Sequence, residues 1–181
     1  GEQKYMKQFF CVLILVLSLP AALLASEDTW IAKRRQAQLS MDPTFIPKGK
    51  GLLFVPAMTD GFREPNYQIF QDGEEVTTAE AGTGVLLTPG TYDLLIGSGA
   101  VSQMMRRPVE VVEGYTSLID PWWSGLTIDV IDETRASIKD SYELFDQDQE
   151  GYGIGYGVEE ERGEAVNTWL LKPRTYTIVK V

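Results

Sequence analysis

The feature that most limits what this chain can become is a repeated order of short β-forming runs, closed by glycine and proline, with no strong helical periodicity after residue 26. Gly51-Leu52 matches Gly125-Leu126. Residues 67–72 (YQIFQD) match residues 142–147 (YELFDQ), and residues 86–92 (LLTPGTY) match residues 170–176 (LLKPRTY). Three blocks kept in one order point to tandem duplication of a unit of about 70 residues.

Each block reads as strand. Residues 52–55 and 126–131 are rich in branched apolar side chains, and Tyr67/Ile69 and Tyr142/Leu144 alternate with polar neighbours, as a half-buried strand requires. Gln71-Asp72-Gly73-Glu74 is a tight-turn signal, because glycine takes positive φ freely and aspartate tolerates it. Pro89-Gly90 predicts a type II turn, with proline setting φ and glycine left-handed at the third position, feeding a strand over 91–96. Residues 108–112 and 115–119, joined at Glu113-Gly114, read as a closing hairpin. The expected fold class is all-β: tandem small antiparallel β-sandwich modules after an N-terminal signal peptide, with module 1 over 51–120 and module 2 over 125–181.

The copies differ in informative ways. Arg174 stands where the first copy has Gly90, so a type II turn would be strained there and a type I or shifted turn is expected. Tyr67 to Pro89 is 22 residues but Tyr142 to Pro173 is 31, the extra length falling in an acidic, glycine- and tyrosine-rich insert over 146–164. Aligning the last blocks sets Val181 opposite Gly97. Module 2 is therefore expected to lack a counterpart of residues 98–120, with the natural protein continuing further.

Ahead of the modules, Met6-Lys7, the apolar run 9–19 (FFCVLILVLSL), Pro20 and the small-residue stretch ending at Ala25-Ser26 have the three-part layout of a secretory signal peptide, so residues 1–26 are expected to be leader. The predicted location is periplasmic or secreted, with membrane contact only through the leader during export. Residues 27–50, mixed in charge and carrying Pro43 and Pro47, read as a linker.

Composition narrows the chemistry. There is no histidine, and Cys11 lies inside the leader, so the exported chain has no thiol, disulfide or imidazole. That closes the Ser-His-Asp, Cys-His, histidine-zinc and phosphohistidine routes, and no catalytic residue and no cofactor are assigned. A net charge of −10 argues against nucleic acid, which needs clustered lysine and arginine.

The DG turn, the run LTPGTYDLLIG and the later VEVVEGYTSL of module 1 resemble a PEGA-type repeat; residues 125–181 resemble it less closely. The resemblance implies a non-catalytic extracytoplasmic spacer, adhesion or envelope-binding module. The sequence departs from it at Thr88-Pro89, where the family motif is longer and acidic, and at Arg174.

Four features are candidate sites. Asp146, Asp148 and Glu150, with Gly151 at the sixth place, begin like a calcium loop, but the twelfth place is Gly157 and no helices flank it; a solvated acidic hairpin is the plainer reading. Residues 151–157 (GYGIGYG) set Tyr152, Ile154 and Tyr156 on one face of a strand, either as an aromatic contact strip for glycan or protein or as core with glycines admitting a close neighbour. Trp122-Trp123 at the module junction are either one plug for each module or a carbohydrate platform. Met104-Met105-Arg106-Arg107 reads as an exposed loop, and Glu159-Glu160-Glu161-Arg162 as a solvated turn. The function expected is an envelope spacer or protein-interaction unit with a protein or envelope component as partner. The alternatives are a carbohydrate-binding module using Trp122, Trp123, Tyr152 and Tyr156, or the N-terminal part of a longer envelope enzyme.

Overall fold

The computed structural model describes residues 31–59, 63–157 and 168–181; residues 1–26, read above as a leader, and residues 159–162, read as a solvated turn, lie outside them. Strand β1 (Gly51–Phe54) is buried at all four positions, so it is covered on both faces. Around it the chain builds a sandwich from β2 (Tyr67–Gln71), β3 (Glu74–Ala79), β4 (Gly84–Leu87), β5 (Gly90–Ile96), β6 (Met105–Val111) and β7 (Thr116–Leu118). One sheet has the order β4-β1-β7 and the other β3-β2-β5-β6. Leu53, Val55, Tyr67, Ile69, Tyr92, Leu94 and Ile96 fill the core between them.

A second, smaller sandwich follows: β8 (Ser124–Thr127), β9 (Ser141–Asp146), β10 (Gly151–Tyr156), β11 (Thr168–Leu171) and β12 (Tyr176–Lys180). It pairs β11-β8 and β10-β9-β12. Its core gathers Tyr142, Leu144, Tyr152, Trp169 and Leu171, flanked by Leu126, Ile128 and Val130. The described residues are therefore predominantly β, in antiparallel sheets with one parallel pair among them, β1 with β7.

The two pairing schemes coincide in detail. Ile69 lies opposite Leu94 and Leu144 opposite Ile178, the same register if Tyr67 corresponds to Tyr142 and Tyr92 to Tyr176. Each sandwich has one bulge, leaving Val76 or Tyr152 without a partner at the equivalent place. Tyr92 donates its phenol hydrogen to the Thr88 carbonyl at 2.7 Å, and Tyr176 donates to the Lys172 carbonyl at 2.8 Å. The shared Pro-x-Thr-Tyr spacing thus places a phenol on the carbonyl four residues upstream, tying the start of the strand to its own turn.

Several expectations need correction. Gly51 pairs with Leu87, but it is Ser124 that pairs with Leu171, so Gly51 corresponds in space to Ser124 and the Gly-Leu match of the sequence is out by one. The glycine at 125 has another cause: a Cβ there would lie 3.0 Å from Met58 Cβ and 3.1 Å from Thr59 Cγ2 of the first sandwich. Strand β8 stops at Thr127, short of the expected 131, since Asp132 Oδ1 accepts from the N–H groups of Thr134 and Ala136 and turns the chain; Ile131 keeps only a bridge to Ser137.

Residues 108–119 do not form a hairpin. Strand β6 pairs with β5 in one sheet, while β7 crosses to the other and runs parallel to β1, whose free edge it covers. Pro108 is tolerated because β6 is an edge strand with no second neighbour awaiting its N–H. Gly90 has φ of 158° and already belongs to β5, so it does not take the φ near 80° that the expected type II turn requires. Arg174, at the equivalent place, has no positive φ, so the two copies differ in backbone at this turn. The Asp72-Gly73 turn does match its signal, both residues being left-handed at φ 51° and 85°.

The segment read as a linker is docked on the first sandwich from residue 31 onward. Helix α1 (Arg35–Met41) contributes Gln38, whose side-chain amide donates to the Ala57 carbonyl at 2.7 Å and accepts from the Ala57 N–H at 2.9 Å, imitating a strand partner. Asp42 accepts from the N–H groups of Thr44 and Gly84. Burial works to raise the Asp42 pKa, but hydrogen bonding from the Thr44 side chain, together with these two N–H groups, outweighs it and holds the carboxyl below its ordinary value. No helix among the described residues is long and apolar enough to cross a membrane.

Candidate functional site

The acidic hairpin between β9 and β10 is built on Asp146, which is 3% exposed. Its Oδ1 accepts from the N–H groups of Asp148 and Glu150, both at 2.9 Å. Its backbone closes the turn by donating to the Glu150 carbonyl and accepting from Gln149 N–H. The other carboxylate oxygen faces Arg174 Nη1 at 3.8 Å, and Asp148 lies 3.6 Å from the same guanidinium. The alternating oxygens that resemble a calcium loop are thus arranged as an aspartate-capped turn beside a fixed cation, which opposes a metal ion electrostatically. Among the described residues no three acidic or cysteine side chains converge to hold one.

The differences between the copies are coupled here. In the first sandwich Gln71 and Gly90 occupy the positions that Asp146 and Arg174 take in the second, and a Cβ at Gly90 would lie 3.0 Å from Gln71 Nε2. A neutral side chain against a bare glycine has become a buried carboxylate against an arginine.

The glycine-tyrosine strand does not present a continuous aromatic strip. The bulge between Gly151 and Gly153 breaks the alternation, so Tyr152 turns into the core at 7% exposure while Ile154 remains 44% exposed. Tyr156 is half-buried. The Tyr152 ring meets Tyr176 edge-on, with centroids 5.5 Å apart and planes at 86°. Burial first, then the hydrogen bond with Tyr152, pushes the Tyr176 phenol far above its ordinary pKa. Gly155 admits the Tyr142 ring directly over the backbone, and Tyr142 Oη accepts from Trp169 Nε1 at 2.8 Å.

Trp122 and Trp123 both serve the first sandwich, so the expectation of one plug for each module fails. Trp123 is buried in that core and Trp122 packs against it, with ring planes at 87°. They sit outside any strand, so strict alternation does not apply to them. The supposed basic loop is likewise a strand: Arg107 stacks 4.2 Å over the Trp122 ring, while Arg106 lies 4.9 Å from the Phe70 ring and 3.7 Å from Asp93. Of the four aromatic candidates, Trp123 and Tyr152 are buried and Trp122 and Tyr156 half-buried; the Trp122 and Trp123 rings meet at 87°, so these two present no shared flat face to a sugar.

Two features escaped the sequence reading. Glu64, 5% exposed, accepts through Oε1 from the N–H groups of Met58 and Thr59 and from the Thr59 hydroxyl, bracing the loop that packs on Gly125. Strand β11 is buried at every position. Leu170 belongs to the first core, Trp169 and Leu171 to the second. Ser98 clamps it, its N–H donating to the Leu170 carbonyl at 2.8 Å and its Oγ accepting from Leu170 N–H at 3.0 Å. The apolar run WLL at 169–171 was the available signal, since a strand exposed on one face alternates instead. Comparison with protein-family models, curated proteins and solved structures finds no match to this chain.

Proposed function

We propose that this is a non-catalytic, exported β-sandwich repeat protein of PEGA-like type that serves as a stiff spacer or protein-interaction unit in the cell envelope. The observation that carries the reading is strand β11, which seals the cores of both sandwiches at once and is bonded through its backbone to Ser98. A strand shared in this way resists hinge motion, because bending would expose Leu170 and break a buried pair of hydrogen bonds. The matched registers, bulges and tyrosine contacts support duplication of one unit. Among the described residues the buried carboxylates Glu64 and Asp146 each accept N–H groups of their own loops through one oxygen, which suits an architectural role.

The test is the unfolding of the chain and of Leu170→Ala. The unaltered protein should unfold in urea as one transition. The variant should lose about 2–5 kcal/mol and split into two transitions as the sandwiches uncouple. Two transitions in the unaltered protein, or an unchanged variant, would overturn the stiff-spacer reading. Fractionation of expressing bacteria checks export: a product found uncleaved in the cytoplasm would refute it.

A further inference from the structure

The segment over 31–50 differs from the rest of the chain in charge. It carries Lys33, Arg34, Arg35, Lys48 and Lys50 against a single acidic residue, Asp42, whereas residues 51–181 carry nine basic residues against 22 acidic ones. Arg35 is paired with Asp120, and Lys33 Nζ donates to the Met41 sulfur at 3.2 Å. The segment is also held in place. Gln38 is bonded to Ala57, Asp42 accepts from Gly84 N–H, and Gly49 N–H donates to Glu113 at 2.8 Å. A Cβ at Gly84 would meet Leu52, Asp42 and Thr44 at once, so the chain that follows α1 lies against β4 and β1.

Burial alternates along this stretch. Asp42, Thr44 and Ile46 are partly covered, while Pro43, Phe45 and Pro47 face outward, Phe45 at 82% exposure. With Met41 at 65%, every second residue from 41 to 47 is apolar and exposed. Basic groups stand at both ends of the row: Lys33 on Met41, and Lys48 directly after Pro47. Single exposed apolar residues are ordinary, but a row of four between basic residues matches the composition of segments that lie at a membrane interface. The row does not suit an added polypeptide strand. Pro43 and Pro47 have no N–H to give, and the Thr44 N–H is already donated to Asp42.

We propose that the face formed by Met41, Pro43, Phe45 and Pro47, with Lys33 and Lys48 beside it, rests on the surface of an anionic lipid bilayer. Phe45 enters the boundary between headgroups and acyl chains, a fluid layer that receives a protruding side chain without a shaped pocket. The basic residues meet the anionic headgroups. The acidic body from residue 51 onward is repelled by the same surface and turned away from it, so the separation of charge also sets an orientation. A second copy is the poorer occupant, because a symmetric pair joined through this face sets Lys33 and Lys48 against their own equivalents. The inference adds to the proposed function a membrane contact made by the folded chain. It depends neither on retention of the leader nor on stiff coupling of the sandwiches.

The test mixes the full chain with vesicles of phosphatidylcholine containing about one-third phosphatidylglycerol, and with pure phosphatidylcholine vesicles as the control. A retained leader holds the chain on both kinds alike, so the readout is local: acetylation of each lysine by a water-soluble reagent, followed by mass spectrometry. Lys33 and Lys48 should react about fivefold or more slowly on the anionic vesicles than on the neutral ones, while Lys139 and Lys172 keep their rates. Phe45→Ala and Lys48→Glu should each return the Lys33 rate to within about twofold of its value on neutral vesicles. Phe45→Trp should keep the protection, since an indole suits the interface as well. Val101→Ala, at a residue 69% exposed elsewhere, should change nothing. Equal rates on the two kinds of vesicle, or protection that survives both Phe45→Ala and Lys48→Glu, overturns the proposal. So does protection of Lys33 and Lys48 in concentrated protein without vesicles, which identifies a second copy as the occupant.

Discussion

Gly155→Ala isolates the packing role of the glycine-tyrosine strand. A Cβ at this position falls 2.6 Å from Tyr142 Cε1 and closer still to Cζ and the phenol oxygen. Real carbon contacts do not reach these distances, so the ring or the strand has to move. The ring has little room: Tyr142 is 3% exposed and is fixed at its far end by the 2.8 Å hydrogen bond from Trp169 Nε1. Overpacking of this kind costs about 1–3 kcal/mol. Displacing the phenol leaves the buried indole N–H without a partner, a further cost of about 1–3 kcal/mol. Together the loss is about 2–6 kcal/mol, a large part of the 5–15 kcal/mol or so that holds a typical domain. Urea unfolding followed by tryptophan fluorescence reads the change in midpoint. Gly73→Ala is the comparison: at φ of +85° it carries backbone strain, but nothing lies within 4 Å of the added methyl. It should cost only about 1 kcal/mol. If the two variants lose the same stability, close packing of Tyr142 on Gly155 is not what holds this sheet, and the reasoning fails.

Two further expectations follow from local geometry. Gln149 sits left-handed at φ of 63° in the β9–β10 turn, so Gln149→Gly should raise stability by about 1 kcal/mol, seen as a higher urea midpoint at unchanged slope; a lower midpoint would show that the Gln149 side chain contributes more than its backbone costs. Asp42 has its carboxyl pKa lowered in the folded state, so its contribution is fully present above the unfolded carboxylate value of about 3.9 and is lost as pH falls through the folded value. Hydrogen exchange at Gly84 N–H should therefore quicken, relative to neighbouring amides, toward low pH in the native protein and show no such dependence in Asp42→Asn; identical profiles would refute the role.

What the sequence determined by itself is local. Alternation placed Tyr67, Ile69, Tyr142 and Leu144 inward; the Asp-Gly pair specified a tight turn; and the recurring Pro-x-Thr-Tyr spacing marked equivalent strands in both halves. These depend on residues within a few positions of one another, where period and backbone preference act. The tertiary structure decided which strands meet. Residues 108–119 read as a closing hairpin, but the edge of β1 draws residues 116–118 into the other sheet instead. The bulge that buries Tyr152 and exposes Ile154 inverts a face that simple alternation would hold constant. Asp146 gained its counter-ion from Arg174, 28 positions along the chain, and Trp122 and Trp123 went to one core because both are placed by a loop instead of a ladder. Above all, the double burial of β11 requires two sheets from distant parts of the chain to close on it from opposite sides. Periodicity shows that a strand has an apolar face, but the surface that covers that face is set by contacts distant in sequence.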